Sequence, residues 1–104
     1  MTKTLILPIS KQWFDLILSG VKVEEYREIK PYYNQRFIDK KTNRVKHYDL
    51  VILRNGYGKK VRSMTVKCGL VHQGNGVEEW GAEPNKIYWI IPILEIIATA
   101  NLKK

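Results

Sequence analysis

The chain of 104 residues is 44 % apolar and 27 % charged, so it carries enough apolar side chains for a core, and disorder is excluded. Its length favours a single domain over residues 1–104. The formal net charge of +8 favours a polyanionic partner, while the one cysteine, Cys68, excludes an internal disulfide and is typical of a small strand residue.

The N-terminal residues predict a strand followed by a helix. Thr4 to Ile9 is a short apolar segment containing Pro8, which is typical of a buried first strand. Ser10 supplies an N-cap hydroxyl and Gly20 a left-handed stop, so we expect a helix at about residues 10–19. The N-terminus lacks the features of a signal peptide, and a cytoplasmic location is therefore expected.

The segment from Val23 to Ile29 alternates strictly, which predicts a strand with two faces. On the inward face, Glu25 and Arg27 stand between the two apolar ends. Because burying an unpaired carboxylate costs several kcal/mol, they either pair, with each other or with neighbours, or line a wet cleft. If residues 20–22 are still turning out of the helix, Lys22 reaches the same cleft. The face assigned to solvent by strict alternation holds Lys22, Glu24, Tyr26, Glu28 and Lys30.

The middle of the chain alternates between turns and strands. Pro31 to Asp39 predicts a short helical turn, and Lys40 to Lys46 a basic loop. Asp49 to Leu53 is rich in β-branched residues and predicts a strand, and the stretch from Asn55 to Gly58, after Arg54, predicts a tight turn or bulge. Met64 to His72 predicts one further strand.

The last apolar segment, Ile87 to Ile97, is too short for a membrane helix and predicts a core strand. Pro92 cannot donate to a ladder, so a bulge or a break into two pieces is expected there. Together these segments predict an α+β fold, a small mixed β-barrel of five or six strands with one N-terminal helix.

Most of the positive charge lies between residues 30 and 67, which hold eleven Lys/Arg against Asp39 and Asp49. Such a segment is either a solvated lysine-rich surface or a binding surface for nucleic acid, with affinity that falls as salt rises. Interleaved aromatic rings, on which bases stack, favour nucleic acid. The rings in question are Tyr32, Tyr33, Phe37, Tyr48 and Tyr57.

The residues Gly20, Lys22, Glu25 and Arg27 form the pattern G-x-K-x-x-E-x-R directly after the predicted helix. This pattern, in that position, resembles the motif of the ASCH domain family of the PUA-like superfamily, in its small bacterial or phage form. The resemblance covers the whole chain and implies a PUA-like β-barrel that interacts with RNA. It also implies that Lys22, Glu25 and Arg27 line a cleft beside the barrel.

Two further segments resemble pieces of small members of the family, Arg54-Asn55-Gly56-Tyr57 and Glu79-Trp80-Gly81-Ala82. Trp80 is either a lid packed on the barrel or a stacking platform for a base. Arg54 either contacts a phosphate or base edge with its planar fork of donors or is a surface charge. The predicted nucleic-acid-binding residues are Lys22, Glu25, Arg27, Arg54, Asn55, Tyr57 and Trp80.

Three functions are consistent with these residues. The first is a module that binds RNA or a modified nucleoside, with no metal and no other cofactor. The second is an enzyme, either a ribonuclease or an amidohydrolase like the ASCH members that act on acetylcytidine, with Lys22 and Glu25 as the candidate catalytic residues. Glu25 stands where those members carry a threonine nucleophile, and Ser10 is assigned to the helix cap. The third is a structural or protein-interaction domain, with an exposed edge of the last strand as its pairing surface.

Overall fold

A computed structural model describes residues 2–103 as an α+β fold, which confirms the predicted class. Its main sheet is curled and mixed, with six strands in the order β1-β5-β6-β8-β2, and β7 pairs with β8 beside that path. A separate two-stranded ribbon joins β3 and β4. The strands are β1 (Thr4–Pro8), β2 (Glu24–Glu28), β3 (Ile38–Asp39), β4 (Arg44–Val45), β5 (Leu50–Asn55), β6 (Arg62–Cys68), β7 (His72–Asn75) and β8 (Ile87–Ala100).

The sheet curls because β8, at 14 residues, is long enough to change partners along its length. Its first half pairs with β2 and β7, and its second half pairs with β6. Pro92 stands at the change, opposite Glu24, so its missing N–H coincides with the switch of partners. The strand is not broken at Pro92, and the irregularities of register fall further along β8, where Leu94 and Ile97 have no partner in the ladder with β6.

Two helices flank the sheet. Helix α1 (Lys11–Leu18) begins after Ser10, which holds the N-cap position, although its hydroxyl makes no capping hydrogen bond. Gly20 adopts the left-handed conformation, with a φ of 85°, as predicted for the helix stop. Helix α2 (Pro31–Phe37) confirms the predicted helical turn. Within residues 2–103, neither helix has the length and apolar character needed to cross a bilayer.

The core lies between the helices and the inner face of the sheet, and Trp89 is its largest fully buried side chain. The Trp89 indole N–H donates to Asn34 Oδ1 at 2.9 Å, and its ring packs against Phe37 with a centroid separation of 5.3 Å. These contacts fix α2 on β8. Cys68 is also buried, and its thiol lies 3.1 Å from the Tyr48 carbonyl oxygen.

Three predicted boundaries are wrong. Arg54 and Asn55 belong to β5, because their backbones continue the ladder with β6, and the turn starts only at Gly56. The strand predicted from Met64 to His72 is two strands, separated at residues 69–71. The basic loop from Lys40 to Lys46 contains β4, which pairs with β3.

Candidate functional site

A cavity of about 290 Å³, which we call the main cavity because Glu25 and Arg27 of the predicted motif line it, opens where the end of β1 meets the start of α1 and the length of β2. A short 3-10 turn, Glu78–Trp80, closes its other side. Both charged and aromatic side chains face this space, so it is neither a filled core nor a flat surface. Its wall is formed by Pro8, Ile9, Ser10, Trp13, Glu25, Tyr26, Arg27, Glu28, Lys30, Tyr33, Trp80 and Gly81.

Lys22 reaches this region because the chain is still leaving the helix when it passes through it. The backbone N–H groups of Val21 and Lys22 both donate to the Leu16 carbonyl oxygen, at 3.1 and 3.0 Å, and β2 starts only at Glu24. Strict alternation from Lys22, which places that lysine in solvent, is therefore wrong. It is also wrong for the apolar ends of the segment, because Val23 and Ile29 are 45 % and 40 % exposed.

The Lys22 side chain has no exposed surface and lies beneath the cavity rather than on its wall. Its ammonium donates to the Trp80 carbonyl oxygen at 2.6 Å and lies 3.2 Å from Glu25 Oε1. The rings of Trp13 and Tyr26 are within 5.0 and 4.6 Å of the same nitrogen. Burial lowers the pKa of Lys22 below its ordinary value, and the Glu25 carboxylate partly opposes that shift.

Glu25 joins the two cations of the predicted motif. Its second oxygen, Oε2, accepts a hydrogen bond from Arg27 Nη2 at 2.7 Å. The same Arg27 nitrogen donates to the Pro8 carbonyl oxygen at 2.7 Å, and Nη1 donates to the Tyr33 hydroxyl at 3.3 Å. The structure thus brings Lys22, Glu25 and Arg27 together in one row with a net charge of plus one.

Arg27 retains one donor that the protein does not satisfy. Its Nε–H is the one buried side-chain polar atom without a hydrogen-bond partner among residues 2–103. An orphaned buried donor costs about 1–3 kcal/mol, and such groups are rare in folded proteins.

The aromatic side of the cavity is fixed by hydrogen bonds. The Tyr26 hydroxyl donates to Glu24 Oε1 at 2.7 Å and accepts from the Val77 N–H at 2.8 Å. Burial raises the pKa of Tyr26 well above its ordinary value, so this hydroxyl stays protonated and neutral. Trp13 on α1 and Trp80 on the 3-10 turn complete the aromatic wall.

Two of the predicted residues, at the end of β5 and in the turn that follows it, lie beside a different hollow, of about 380 Å³, which shares Pro8–Ser10 with the main cavity. Asn55 and Tyr57 line this hollow, and the Tyr57 side chain is largely exposed. Arg54 lines neither space, because its guanidinium donates to the Gly58 carbonyl oxygen within the turn. The structure therefore places Trp80 with Glu25 and Arg27, and separates Arg54 from them.

Of the twelve residues of the cavity wall, the sequence predicted Glu25, Arg27 and Trp80 as binding residues and missed the others, among them Trp13 and Ser10. Trp13 is assigned by its spacing to the apolar face of the helix, yet its ring also lies over the Lys22 ammonium. Ser10 is assigned to capping, yet its hydroxyl makes no cap bond and the residue lines both hollows. No local signal marked the contact of Trp13, because Lys22 is nine positions further along the chain and α1 ends between the two residues.

Comparisons of the chain with protein-family models, with curated proteins and with solved structures find no match. The likeness to the ASCH family accordingly depends on the Gly20-to-Arg27 motif and stays a prediction. The chemistry of the main cavity is the basis on which a function is proposed.

Proposed function

We propose that this chain is an ASCH-type domain that binds RNA or a modified nucleoside, with one base held in the main cavity. The observation that carries the proposal is the row of Lys22, Glu25 and Arg27 next to a cavity walled by aromatic rings. The cavity is at the lower limit of typical small-molecule sites, which occupy roughly 300–1,000 Å³. A space of this size suits one base or nucleoside rather than a duplex.

The polar and aromatic groups of the cavity suit different parts of such a ligand. A base has a flat π-face that stacks on tryptophan or tyrosine, with about 1–3 kcal/mol per base. Its edge carries donors and acceptors, which a carboxylate and a guanidinium can read in pairs. Glu25 offers lone pairs beyond its two ion pairs, and Arg27 lines the same wall.

Replacing Trp80 tests this proposal with little effect on the scaffold, because Lys22 uses the Trp80 carbonyl rather than its ring. In a thermal-shift screen of nucleosides and short single-stranded oligonucleotides, the parent protein should be stabilised by at least one ligand. Trp80→Ala should lower the affinity for that ligand by about 5- to 150-fold, which is the equivalent of one lost stacking contact.

Trp80→Phe is the matched control, because it keeps an aromatic face and should retain most of the affinity. If no nucleoside or oligonucleotide stabilises the parent, the proposed function is wrong. If Trp80→Ala binds as tightly as the parent does, the base does not lie in the main cavity.

A hydrolase acting on a modified nucleoside is the second candidate, and the position of Ser10 favours it. Ser10 lines the cavity with a hydroxyl that is not used as a helix cap, so a nucleophile is available although the motif has none. Lys22, whose pKa is lowered by burial, does not face the cavity and would affect the reaction only through its ion pair with Glu25. Incubation with acetylcytidine should then release cytidine and acetate, and Ser10→Ala should abolish the release. No release by the parent protein would eliminate this activity.

A further inference from the structure

A third hollow, of about 220 Å³, lies on the outer face of α2, and we call it the α2 hollow. Two of its five lining residues are cations and none is acidic. Two others are tyrosines, so the hollow combines positive charge with aromatic surface. The lining residues are Tyr32, Gln35, Arg36, Lys46 and Tyr48.

The two cations of the α2 hollow are held by neutral groups. Arg36 donates to the Tyr32 hydroxyl at 2.9 Å, and its guanidinium lies 4.9 Å from the centre of that ring. Lys46 donates to the Gln35 carbonyl oxygen at 3.2 Å. Within the described part of the chain, neither cation forms an ion pair. An anion from outside would therefore meet two cations that no described carboxylate neutralises.

The α2 hollow adjoins the main cavity across a single pair of rings. Tyr33 lines the main cavity and Tyr32 lines the α2 hollow, and their ring centroids are 5.0 Å apart in an edge-to-face arrangement. Lys30, on the wall of the main cavity, lies over the Tyr33 ring at 5.5 Å. Positive charge thus lies on both sides of this pair of rings: Lys30 is on the wall of the main cavity, and Arg36 and Lys46 are on the wall of the α2 hollow.

The hollow at the opposite exit from the main cavity, beside Asn55 and Tyr57, has no charged lining residue. The cations of the neighbouring turn, Lys59 and Lys60, are exposed and lie outside that lining. The α2 hollow differs because its two cations form part of its wall, where a bound phosphate would meet them directly.

We infer that the α2 hollow binds backbone phosphates of a single-stranded polynucleotide whose base lies in the main cavity. The inference rests on the proposed function and makes the ligand a strand rather than a free nucleoside. Contacts to phosphate fix the register of the strand and supply most of its salt-dependent affinity, while the cavity reads the base.

The test compares two double variants that each remove two positive charges. Arg36→Gln/Lys46→Gln changes the α2 hollow, and Lys59→Gln/Lys60→Gln changes the exposed turn after β5. Affinity for a labelled single-stranded RNA is measured at several salt concentrations. Each phosphate contact contributes about 0.7 to the slope of log affinity against log salt, so the α2 variant should lose about 1.4 of that slope. Between 50 and 200 mM salt, the parent should then lose about sevenfold more affinity than the α2 variant.

The control variant should keep a slope close to that of the parent. A nucleoside that stabilises the parent should stabilise the α2 variant equally, which also shows that the variant is folded. If the α2 variant keeps the parent's slope, or if the control loses as much, the phosphates do not lie on α2 and the proposed function still stands. If the parent binds neither nucleoside nor RNA, both proposals are wrong.

Discussion

At the scale of single residues, Lys22 is the least expected side chain of the structure. An ammonium without water is retained only when nearby groups replace its solvation. The Trp80 carbonyl, the Glu25 carboxylate and two aromatic faces do so here. Because the four residues that supply these groups also line the main cavity, the lysine links the stability of the fold to the shape of the site.

Lys22→Met should therefore destabilise the protein strongly. Methionine fills a similar volume but leaves the Trp80 carbonyl without a donor and Glu25 with one cation instead of two. Removing one partner of a buried pair costs about 3–5 kcal/mol, which urea unfolding would measure. Lys60→Met is the control, because Lys60 is exposed and its loss should change the free energy of unfolding by no more than about 0.5 kcal/mol. Equal effects of the two substitutions would contradict the burial of Lys22.

The same lysine predicts a pH dependence. The pKa of Lys22 is lower in the folded protein than its ordinary value of 10.5, so between those two values the unfolded chain binds the additional proton. The contribution of Lys22 to the free energy of unfolding therefore rises as the pH rises toward 10.5. The difference in unfolding free energy between the parent and Lys22→Met should grow over that range, and a constant difference would contradict it.

At the scale of elements, the 3-10 turn and the exit of α1 depend on glycines for different reasons. Both Gly20 and Gly81 have positive φ values, 85° and 106°. A Cβ on Gly20 would contact nothing within 4 Å, whereas a Cβ on Gly81 would lie 2.8 Å from a ring carbon of Trp13. Close packing of the turn on α1 is thus what places the Trp80 carbonyl over Lys22.

Gly20→Ala and Gly81→Ala form a matched pair that separates these effects. Alanine at Gly20 should cost about 1–2 kcal/mol, from the left-handed backbone alone. Alanine at Gly81 should cost about 1–3 kcal/mol more, because the Trp13 ring has to shift. Denaturant unfolding measures both substitutions. Equal costs would show that the turn does not pack on Trp13 as described.

At the scale of the whole molecule, the net charge of +8 opposes the folded state through self-repulsion. Salt screens exposed charges over roughly 10 Å at 0.1 M and affects the buried row of Lys22, Glu25 and Arg27 much less. The melting temperature should consequently rise with salt, by about 4–8 °C for each kcal/mol of repulsion removed. The melting temperature of the variant Lys59→Glu/Lys60→Glu, which has a smaller positive net charge, should rise less with salt. A melting temperature that falls with salt would show that exposed ion pairs outweigh the repulsion.

Within the sequence, local patterns were enough to predict the start and stop of α1, the α2 turn and the polar inner face of β2. Gly20 acts on the backbone within a few residues, and the alternation around Glu25 and Arg27 needs no distant partner. The sequence allowed two alternatives for Glu25 and Arg27, pairing or the lining of a wet cleft. The structure realises the pairing, and both residues also line a cavity.

Only the tertiary structure decided where Lys22 points, how β8 divides its partners and which hollows adjoin. The Lys22 ammonium meets a carbonyl 58 positions away, and Pro92 marks a change between strands that come from different parts of the chain. Periodicity and capping describe backbone preferences over one or two turns. Contacts between distant segments depend on how the sheet curls, because that curl brings the 3-10 turn over the exit of α1.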